Sequence, residues 1–175
     1  MVSTGAPARK LAIVVIGRQG VGKSSVWNSV TGAVRNRVGA KSLNLCPLTR
    51  GPDAMTMSRC QVDMFIIPRS AGDETDDISV LINGHKVRIL LVSVRYSQNG
   101  LTNIDYLLKN GFDVKAIWLN PGAGEGRYAD SLGIANRLLV DGVELSQRDA
   151  RSRRKQANIA QEIREKILGW TIFNL

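Results

Sequence analysis

Four residues near the start of the chain have the types and the spacing that bind phosphate. They are Gly17, Gly22, Lys23 and Ser24, and the stretch GRQGVGKSS at 17–25 fits the pattern G-x-x-x-x-G-K-[ST]. Glycines let backbone N–H groups approach phosphate oxygens, the lysine ammonium neutralises their charge, and the serine hydroxyl reaches a magnesium ion. This spacing therefore predicts a loop that cradles the phosphates of a nucleoside triphosphate.

The segments on either side of this stretch suit a phosphate-binding loop. Residues 11–16, LAIVVI, form a continuous apolar run rich in β-branched residues, which is typical of a buried parallel strand. After Lys23 the sequence predicts a helix, with Val26 and Val30 one turn apart and Gly32 at its end. The positive end of that helix dipole would add to the attraction of the loop for an anion.

The same stretch resembles the first motif and helix of the TrmE and Era class of P-loop GTPases, which typically read G-R-x-N-V-G-K-S-S-L-x-N-x-L-x-G. The segment PLTRGPD at 47–53 resembles the T-T-R-D switch segment of that class, and it places Thr49 where the switch threonine meets magnesium. The resemblance covers about the first 120 residues and is strongest at 11–32. The residues shared with the first motif and helix are Gly17, Arg18, Val21, Gly22, Lys23, Ser24, Ser25, Asn28 and Gly32.

This resemblance implies a protein that binds GTP, with ATP as the alternative, and that hydrolyses it as a molecular switch. It implies catalytic roles for Lys23 and Thr49, and magnesium ligation by Ser24 and Thr49. A switch of this kind would act on a protein partner or effector. The implied nucleotide-binding residues are Gly17, Arg18, Gln19, Gly20, Val21, Gly22, Lys23, Ser24 and Ser25.

Two later motifs of the class are missing at the expected places. The D-x-x-G motif should end the strand VRILLV, where residues 93–96 read SVRY, and the only D-x-x-G letters, DSLG at 130–133, come too late. The N-K-x-D motif, which reads guanine through its aspartate, has only a stretched remnant in NRLLVD at 136–141. Phosphoryl transfer without a positioned carboxylate loses electrostatic support. A nucleotide-binding scaffold without turnover is therefore an alternative function.

A nucleoside monophosphate kinase is a second alternative. The segments VSVRYSQNG at 92–100 and LLKNGFDVKAIWLNPGAG at 107–124 resemble the D-V-R-F-x-N-E and R-P-G-A segments of phage deoxynucleotide kinases. Ser93 again stands where that family has aspartate. In this alternative, a basic stretch would form a lid whose guanidinium groups clamp the transferred phosphoryl group. The arginines of that stretch are Arg148, Arg151, Arg153 and Arg154.

The chain of 175 residues is long enough for one compact core and short for two. We expect residues 1–9 to form a disordered tail and 10–175 to form a P-loop nucleotide-binding domain. The predicted fold is an α/β, three-layer P-loop NTPase fold, in which the sheet is mostly parallel with one antiparallel hairpin.

That hairpin is predicted from Asn83 and Gly84, which stand between two β-rich runs within 78–92 and suit a type I′ turn. The other predicted elements are a helix at 102–111, a buried strand at 113–120, a helix over roughly 147–168 and a final short strand, WTIFN, at 170–174.

Residues Arg95 and Tyr96 are further site candidates, because they lie just beyond a core strand, where ligands gather in open α/β sheets. Packing and surface roles are the alternatives for both. Trp118 lies within an apolar strand, so we expect it in the core rather than stacked on a base.

The formal net charge of +9 raises the question of an acidic partner such as RNA. Much of the excess lies in RNR at 35–37 and RDARSRRK at 148–155. Beyond the second stretch, Ile159, Ile163 and Ile167 recur every four residues and would face the core, which leaves the basic residues on the solvent side of a helix. No aromatic residues alternate with these charges, so the support for an RNA contact is weak.

Other classes of site and location are not indicated. No apolar run approaches the length of a membrane span, and MVSTGAPARK lacks the apolar core of a signal peptide, so we expect a cytoplasmic protein. Cys46, Cys60 and His85 make neither a disulfide framework nor a metal site. The acidic run DETDD at 73–77 predicts a solvated loop, with a replacement metal ligand as the alternative.

Overall fold

The computed structural model describes residues 9–45, 60–71 and 77–174. Strands and helices alternate through most of these ranges. The strands are β1 (Lys10–Gly17), β2 (Gly39–Leu45), β3 (Cys60–Ala71), β4 (Ile89–Arg95), β5 (Phe112–Leu119) and β6 (Glu144–Arg148). The helices are α1 (Lys23–Thr31), α2 (Ile78–Leu81), α3 (Gln98–Lys109), α4 (Ile134–Val140) and α5 (Arg153–Asn174).

These strands form one sheet in the order β2-β3-β4-β1-β5-β6. β1 lies between β4 and β5 and is parallel to both, and its last residue, Gly17, is the register partner of Arg95. β2 is antiparallel to β3 at one edge, whereas β3 and β4, like β5 and β6, pair in parallel. The prediction of an α/β fold with a mostly parallel sheet and one antiparallel pair is confirmed.

Helices cover both faces of the sheet, and the alternation of side chains along β1 shows how they are divided. One face packs against α1 and α5, and the other against α2, α3 and α4. The α1 face includes Leu11, Ile13 and Val15 of β1 with Val26, Trp27, Val30, Ile159, Ile163 and Ile167. The opposite face includes Ala12, Val14 and Ile16 of β1 with Ile78, Leu101, Ile104, Leu107, Ile134 and Leu138.

The predicted hairpin at 78–92 is wrong. Ile78–Leu81 form α2, and Gly84 has φ of 75° in the turn after this helix. The backbone N–H of Ile78 donates to Asn103 Oδ1 at 2.9 Å, and its buried side chain packs on the face that carries α3. Because an Asn-Gly pair serves a turn after a helix as well as a hairpin, the local pattern was ambiguous. The antiparallel pair is formed instead by β2 and β3.

The predicted strand at 170–174 is also wrong. These residues are the last turns of α5, which is continuous over Arg153–Asn174. Trp170 follows the buried Ile163 and Ile167 at helical spacing and closes the same core, so helix packing decides the conformation. The helix predicted over roughly 147–168 also begins later than expected, because residues 147 and 148 belong to β6.

Several predictions fall outside the described residues. They concern the tail apart from Arg9, Cys46, the switch-like segment at 47–53 with Thr49, and the acidic residues at 73–76. Within the described ranges, no helix combines the length and the apolar character that a membrane crossing requires.

Candidate functional site

The glycine-rich stretch connects β1 to α1 at the carboxyl edge of the sheet. α1 lies on one face, whereas α3 and α4, which follow the neighbouring strands β4 and β5, lie on the other. Such a reversal leaves a crevice beyond the carboxyl ends of the strands, and ligands of open α/β sheets bind there. The structure therefore brings the predicted residues Gly17 to Ser25 together at the place in the fold that suits a ligand.

Two glycines of this loop are needed for its shape. A Cβ atom on Gly17 would lie 2.5 Å from Cγ2 of Val21, so any side chain where the loop leaves β1 would force Val21 to move. Gly22 has φ of 97°, and a Cβ atom there would lie 2.8 Å from Nε2 of Gln156 on α5. The loop is thus folded tightly on itself and against the start of α5.

Lys23 is buried inside the loop. It is 7% exposed, and its Nζ donates to the carbonyl oxygens of Gly17 at 2.8 Å and Arg18 at 2.7 Å. A buried ammonium is tolerated only with such hydrogen bonds. The lysine charge is therefore held close to the loop, beside the exposed hydroxyl-bearing residues Ser24 and Ser25.

Two clefts open on either side of the loop. The first has a volume of about 550 Å³ and lies between the loop, the segment after β5 and the start of α5. The second has a volume of about 330 Å³ and is lined by Lys23, Ser24 and Arg95 together with loop residues. Among the described residues, neither cleft is lined by Asp or Glu. A further cavity of about 390 Å³, near His85 and Trp170, contains no predicted site residue.

Ser93, the residue where the third motif would have its aspartate, is fully buried. Its Oγ accepts a hydrogen bond from Nε1 of Trp27 at 2.7 Å and donates one to the carbonyl oxygen of Pro68 at 3.1 Å. The hydroxyl therefore ties β4 to α1 and β3 and does not reach either cleft. In the part of the chain that the structure describes, no three His, Cys, Asp or Glu residues are grouped as metal ligands would be.

Asn120, which sequence reasoning missed as a site residue, connects the end of β5 to the segment before α5. Its backbone N–H donates to the Arg148 carbonyl oxygen at 2.8 Å, and its Oδ1 accepts from the N–H of Ala150 at 2.8 Å. Asn120 lines the first cleft with Ala150 and has a positive φ of 57°. Its position at the end of the predicted strand at 113–120 was the signal that could have identified it.

The stretch NRLLVD, considered as a remnant of the guanine-reading motif, belongs elsewhere. Residues 136–140 lie on α4, and Asn136 is exposed on the opposite face of the sheet from α1. The letters DSLG just before α4 also have a structural role. Asp130 accepts hydrogen bonds from the N–H groups of Ile134 at 2.8 Å and Ala135 at 2.9 Å, so it stabilises the start of the helix.

Arg18 lies on an aromatic cluster. Its guanidinium carbon is 4.6 Å from the ring centroid of Tyr128 and 6.0 Å from that of Tyr96. Trp118 is 2% exposed, as expected for a core residue, and its Nε1 donates to the Tyr128 hydroxyl at 2.6 Å. Burial raises the pKa of Tyr128 to about 12, although hydrogen bonds from Trp118 and from the Arg18 backbone act in the opposite direction. The phenol therefore stays neutral and holds the loop.

Tyr96 continues this network toward α4. Its ring is stacked on Trp118 with 5.6 Å between centroids, and its hydroxyl donates to Asp130 Oδ1 at 2.9 Å. Burial raises the pKa of Asp130, but hydrogen bonds from Ala135, Ile134 and Tyr96 outweigh it and lower the pKa overall. Arg95 was expected just beyond the core strand but is the last residue of β4, and it lines the second cleft. Tyr96 does lie just beyond β4 and is buried beneath Arg18.

Arg151 is the member of the predicted basic lid that lines a cleft. Its Nη1 donates to the Glu125 carbonyl oxygen at 2.8 Å, and its Nε and Nη2 bind Asp149 at 2.9 and 2.6 Å. Hydrogen bonds from Arg151 and then from Lys155 hold the pKa of Asp149 well below its usual range. Arg127 lines the same cleft, with Nη2 3.8 Å from Asp149 Oδ2. The mouth of the first cleft is therefore basic.

The other predicted lid arginines lie apart from this mouth. Arg148 ends β6 and binds Glu162, with 2.7 Å between its Nε and the carboxylate. Arg153 and Arg154 are exposed on the first turn of α5 and, among the described residues, do not line either cleft. The basic stretch therefore does not act as a single clamp in this conformation.

Comparison with known proteins adds no assignment to this geometry. No protein-family model matches the chain. A search of curated proteins likewise gives no significant match.

Proposed function

We propose that this chain is a P-loop protein of the GTPase type that binds a nucleoside triphosphate, GTP in the first place, through Gly17 to Ser25. The observation that carries this proposal is the placement of Lys23. Its ammonium is buried within 2.8 Å of two loop carbonyl oxygens, at the start of α1 and at the topological reversal of the sheet. A glycine-rich turn without a ligand has no need for a buried cation there.

The two clefts suggest how the nucleotide lies. Each has a volume within or close to the range of small-ligand sites, and both are lined by the loop. The base and ribose would occupy the first cleft, beside Asn120 and Ala150. The terminal phosphate would extend past Lys23 toward Ser24 and Arg95 in the second.

Turnover by this site would be slow. Lys23 can neutralise the β and γ oxygens, but no described residue of the clefts offers a carboxylate to orient water or a metal ion. Thr49, the other proposed catalytic and metal-binding residue, lies outside the described residues and stays a proposal from the resemblance. Binding with slow hydrolysis suits a switch that a protein partner reads.

A second candidate function is phosphotransfer to a nucleoside monophosphate. The observation that favours it is the separation of the clefts, because the one near Arg95 could hold the phosphate of an acceptor while the other holds the donor base. Arginine binds phosphate oxygens in a bidentate manner. The two functions differ in whether phosphate reaches water or the added monophosphate.

Calorimetric titration of the purified chain with GTP and ATP, at matched salt, tests the proposal. We expect binding of GTP and a loss of at least about tenfold in affinity for Lys23→Ala, since a hydrogen bond to a charged group contributes about 1.5–3 kcal/mol. Lys86→Ala is the matched control, because it removes one exposed lysine near the opposite edge of the sheet.

The absence of nucleotide binding by the wild-type chain, or equal binding by Lys23→Ala, would refute the proposal. Chromatographic analysis of nucleotides after incubation with GTP, with and without added GMP, then separates three outcomes. Free phosphate indicates a hydrolase, a changed phosphorylation state of GMP indicates a kinase, and intact GTP indicates a binding scaffold.

A further inference from the structure

The side chain of Arg18 lies in the first cleft, over an aromatic ring. Its guanidinium carbon is 4.6 Å from the ring centroid of Tyr128, which is within the range of a cation–π contact. Arg18 is exposed, whereas Tyr128 is only 6% exposed, and both residues line the first cleft. The arginine therefore lies between the buried ring and the open space of the cleft.

Hydrogen bonds fix the position of this pair. The Tyr128 hydroxyl accepts from the backbone N–H of Arg18 and, at 2.6 Å, from Nε1 of Trp118. The backbone N–H of Tyr128 donates to the Asn120 carbonyl oxygen at 3.3 Å, and Asn120 lines the same cleft. Arg18 is thus held in place relative to the end of β5. A ligand that meets a group already held in this way loses less entropy on binding.

The shape of the guanidinium group determines what it can offer to a ligand. The group is planar, and its two faces can each stack on a flat ring. One face of Arg18 is directed to Tyr128, so the other is directed to the cleft. Nucleobases stack on guanidinium planes as they do on aromatic side chains.

Arg18 also lies on the side of the loop where the base is proposed to bind. The phosphates are proposed to extend past Lys23 toward Ser24, and both of these residues line the second cleft. The Arg18 side chain is instead directed to Tyr128 and the first cleft. Its position therefore suits a contact with the base better than a contact with the terminal phosphate.

We infer that the nucleobase stacks on the outer face of the Arg18 guanidinium, so that the base, the arginine and the ring of Tyr128 form three consecutive layers. The inference rests on the proposed function and assigns a base-binding residue to it. The sequence resemblance gives Arg18 only as a member of the nucleotide-binding loop. Here its side chain contributes affinity for the base rather than for the phosphates.

Calorimetric titration of the full chain with GTP, alone and in competition with methyl triphosphate, tests the inference in one magnesium buffer. Both ligands carry a triphosphate chain, but only GTP carries a base. The loss of one positive charge weakens both ligands alike, so the ratio of their dissociation constants reports the contribution of the nucleoside. In Arg18→Ala this preference for GTP should fall by about five- to thirtyfold. Arg35→Ala removes an exposed arginine beyond the far end of α1 and should leave the preference unchanged.

Arg18→Lys separates the planar group from its charge. We expect this variant to bind methyl triphosphate within about threefold of the wild type, because the charge is kept. Its preference for GTP should nevertheless be at least about threefold lower than that of the wild type, because an ammonium group offers no plane for stacking. Circular dichroism and thermal unfolding of each variant establish that it is folded before its affinities are compared.

The outcomes separate this inference from the proposed function. If folded Arg18→Ala lost affinity for both ligands equally, Arg18 would act on the phosphates, which would overturn the inference and keep the proposed function. A wild-type preference for GTP in Arg18→Lys would also overturn the inference, since the charge alone would then suffice. Failure of the wild-type chain to bind GTP would overturn both.

Discussion

Replacing Ser93 by alanine should destabilise the fold and leave the proposed binding of GTP unchanged. The reason is that the Ser93 hydroxyl makes hydrogen bonds inside the core and does not line a cleft. It accepts from Trp27 Nε1 at 2.7 Å and donates to the Pro68 carbonyl oxygen at 3.1 Å, and both Ser93 and Trp27 are 0% exposed. In Ser93→Ala the indole N–H would lose its acceptor in a place that water does not reach.

The magnitude follows from these two hydrogen bonds. A buried donor without a partner costs about 1–3 kcal/mol, and the loss of the bond to the Pro68 carbonyl adds about 1 kcal/mol. The free energy of unfolding should therefore fall by about 2–4 kcal/mol, which corresponds to about 5–15 °C in Tm for a domain of this size. In a Trp27→Phe background, the same serine substitution should cost about 1–3 kcal/mol less, because no indole donor is then left without an acceptor.

Urea denaturation followed by tryptophan fluorescence measures the stability, and GTP titration measures the affinity. Ser131→Ala, in an exposed turn, is the control and should change neither. If Ser93→Ala kept the wild-type Tm but lost GTP affinity tenfold or more, the hydroxyl would act at the phosphate site, and the structural explanation would be refuted.

Two further predictions concern the loop and the cap of α4. Gly22→Ala should lower stability by about 2 kcal/mol and GTP affinity by more than about tenfold, because of its positive φ and the nearby Gln156. Gly142→Ala is the control, because Gly142 has a similar φ of 72° but no heavy atom lies within 4 Å of the added Cβ. Urea denaturation and GTP titration of this control should therefore find only the stability cost of the backbone conformation. Equal losses of stability and of GTP affinity in the two variants would contradict the role of Gln156. Asp130→Asn should cost about 1 kcal/mol at neutral pH. The pKa of Asp130 is lowered in the folded state, so its charge stabilises the fold above the pKa of the unfolded state, and this contribution is lost as the pH falls through the folded pKa. The Tm values of the wild type and the variant should therefore converge below about pH 4. A difference in Tm that stays constant with pH would argue against a role of the charge.

The local features of the fold could be predicted because their causes are local. The strand at 11–16 is a continuous apolar run, and the spacing of Gly17 and Gly22 predicts the tight loop that follows this strand. The same holds for Ile159, Ile163 and Ile167, which recur at helical spacing in the sequence and are buried in the core of the structure. The turn at Asn83 and Gly84 could not be assigned from its own residues, because the contact that fixes α2 is with Asn103, 25 residues beyond Ile78.

Half of the candidate site could be predicted for the same reason. Gly17 to Ser25 came from one contiguous motif, and Arg95 came from the rule that ligands gather at the ends of core strands. The first cleft also depends on Asn120 and Ala150, which are joined by a hydrogen bond across 30 residues. No periodicity within either segment indicates that bond.

The pairing of Trp27 with Ser93 determines which residue of β4 can meet a ligand. These residues are 66 positions apart, and each alone reads as an ordinary member of a helix or a strand. Because the indole covers the first position at which β4 could present a side chain, the face of the strand next to α1 first reaches the cleft at Arg95. The serine that stands where the resemblance leads us to expect an aspartate is therefore explained by packing, because its hydroxyl accepts the Trp27 indole N–H and donates to the Pro68 carbonyl oxygen.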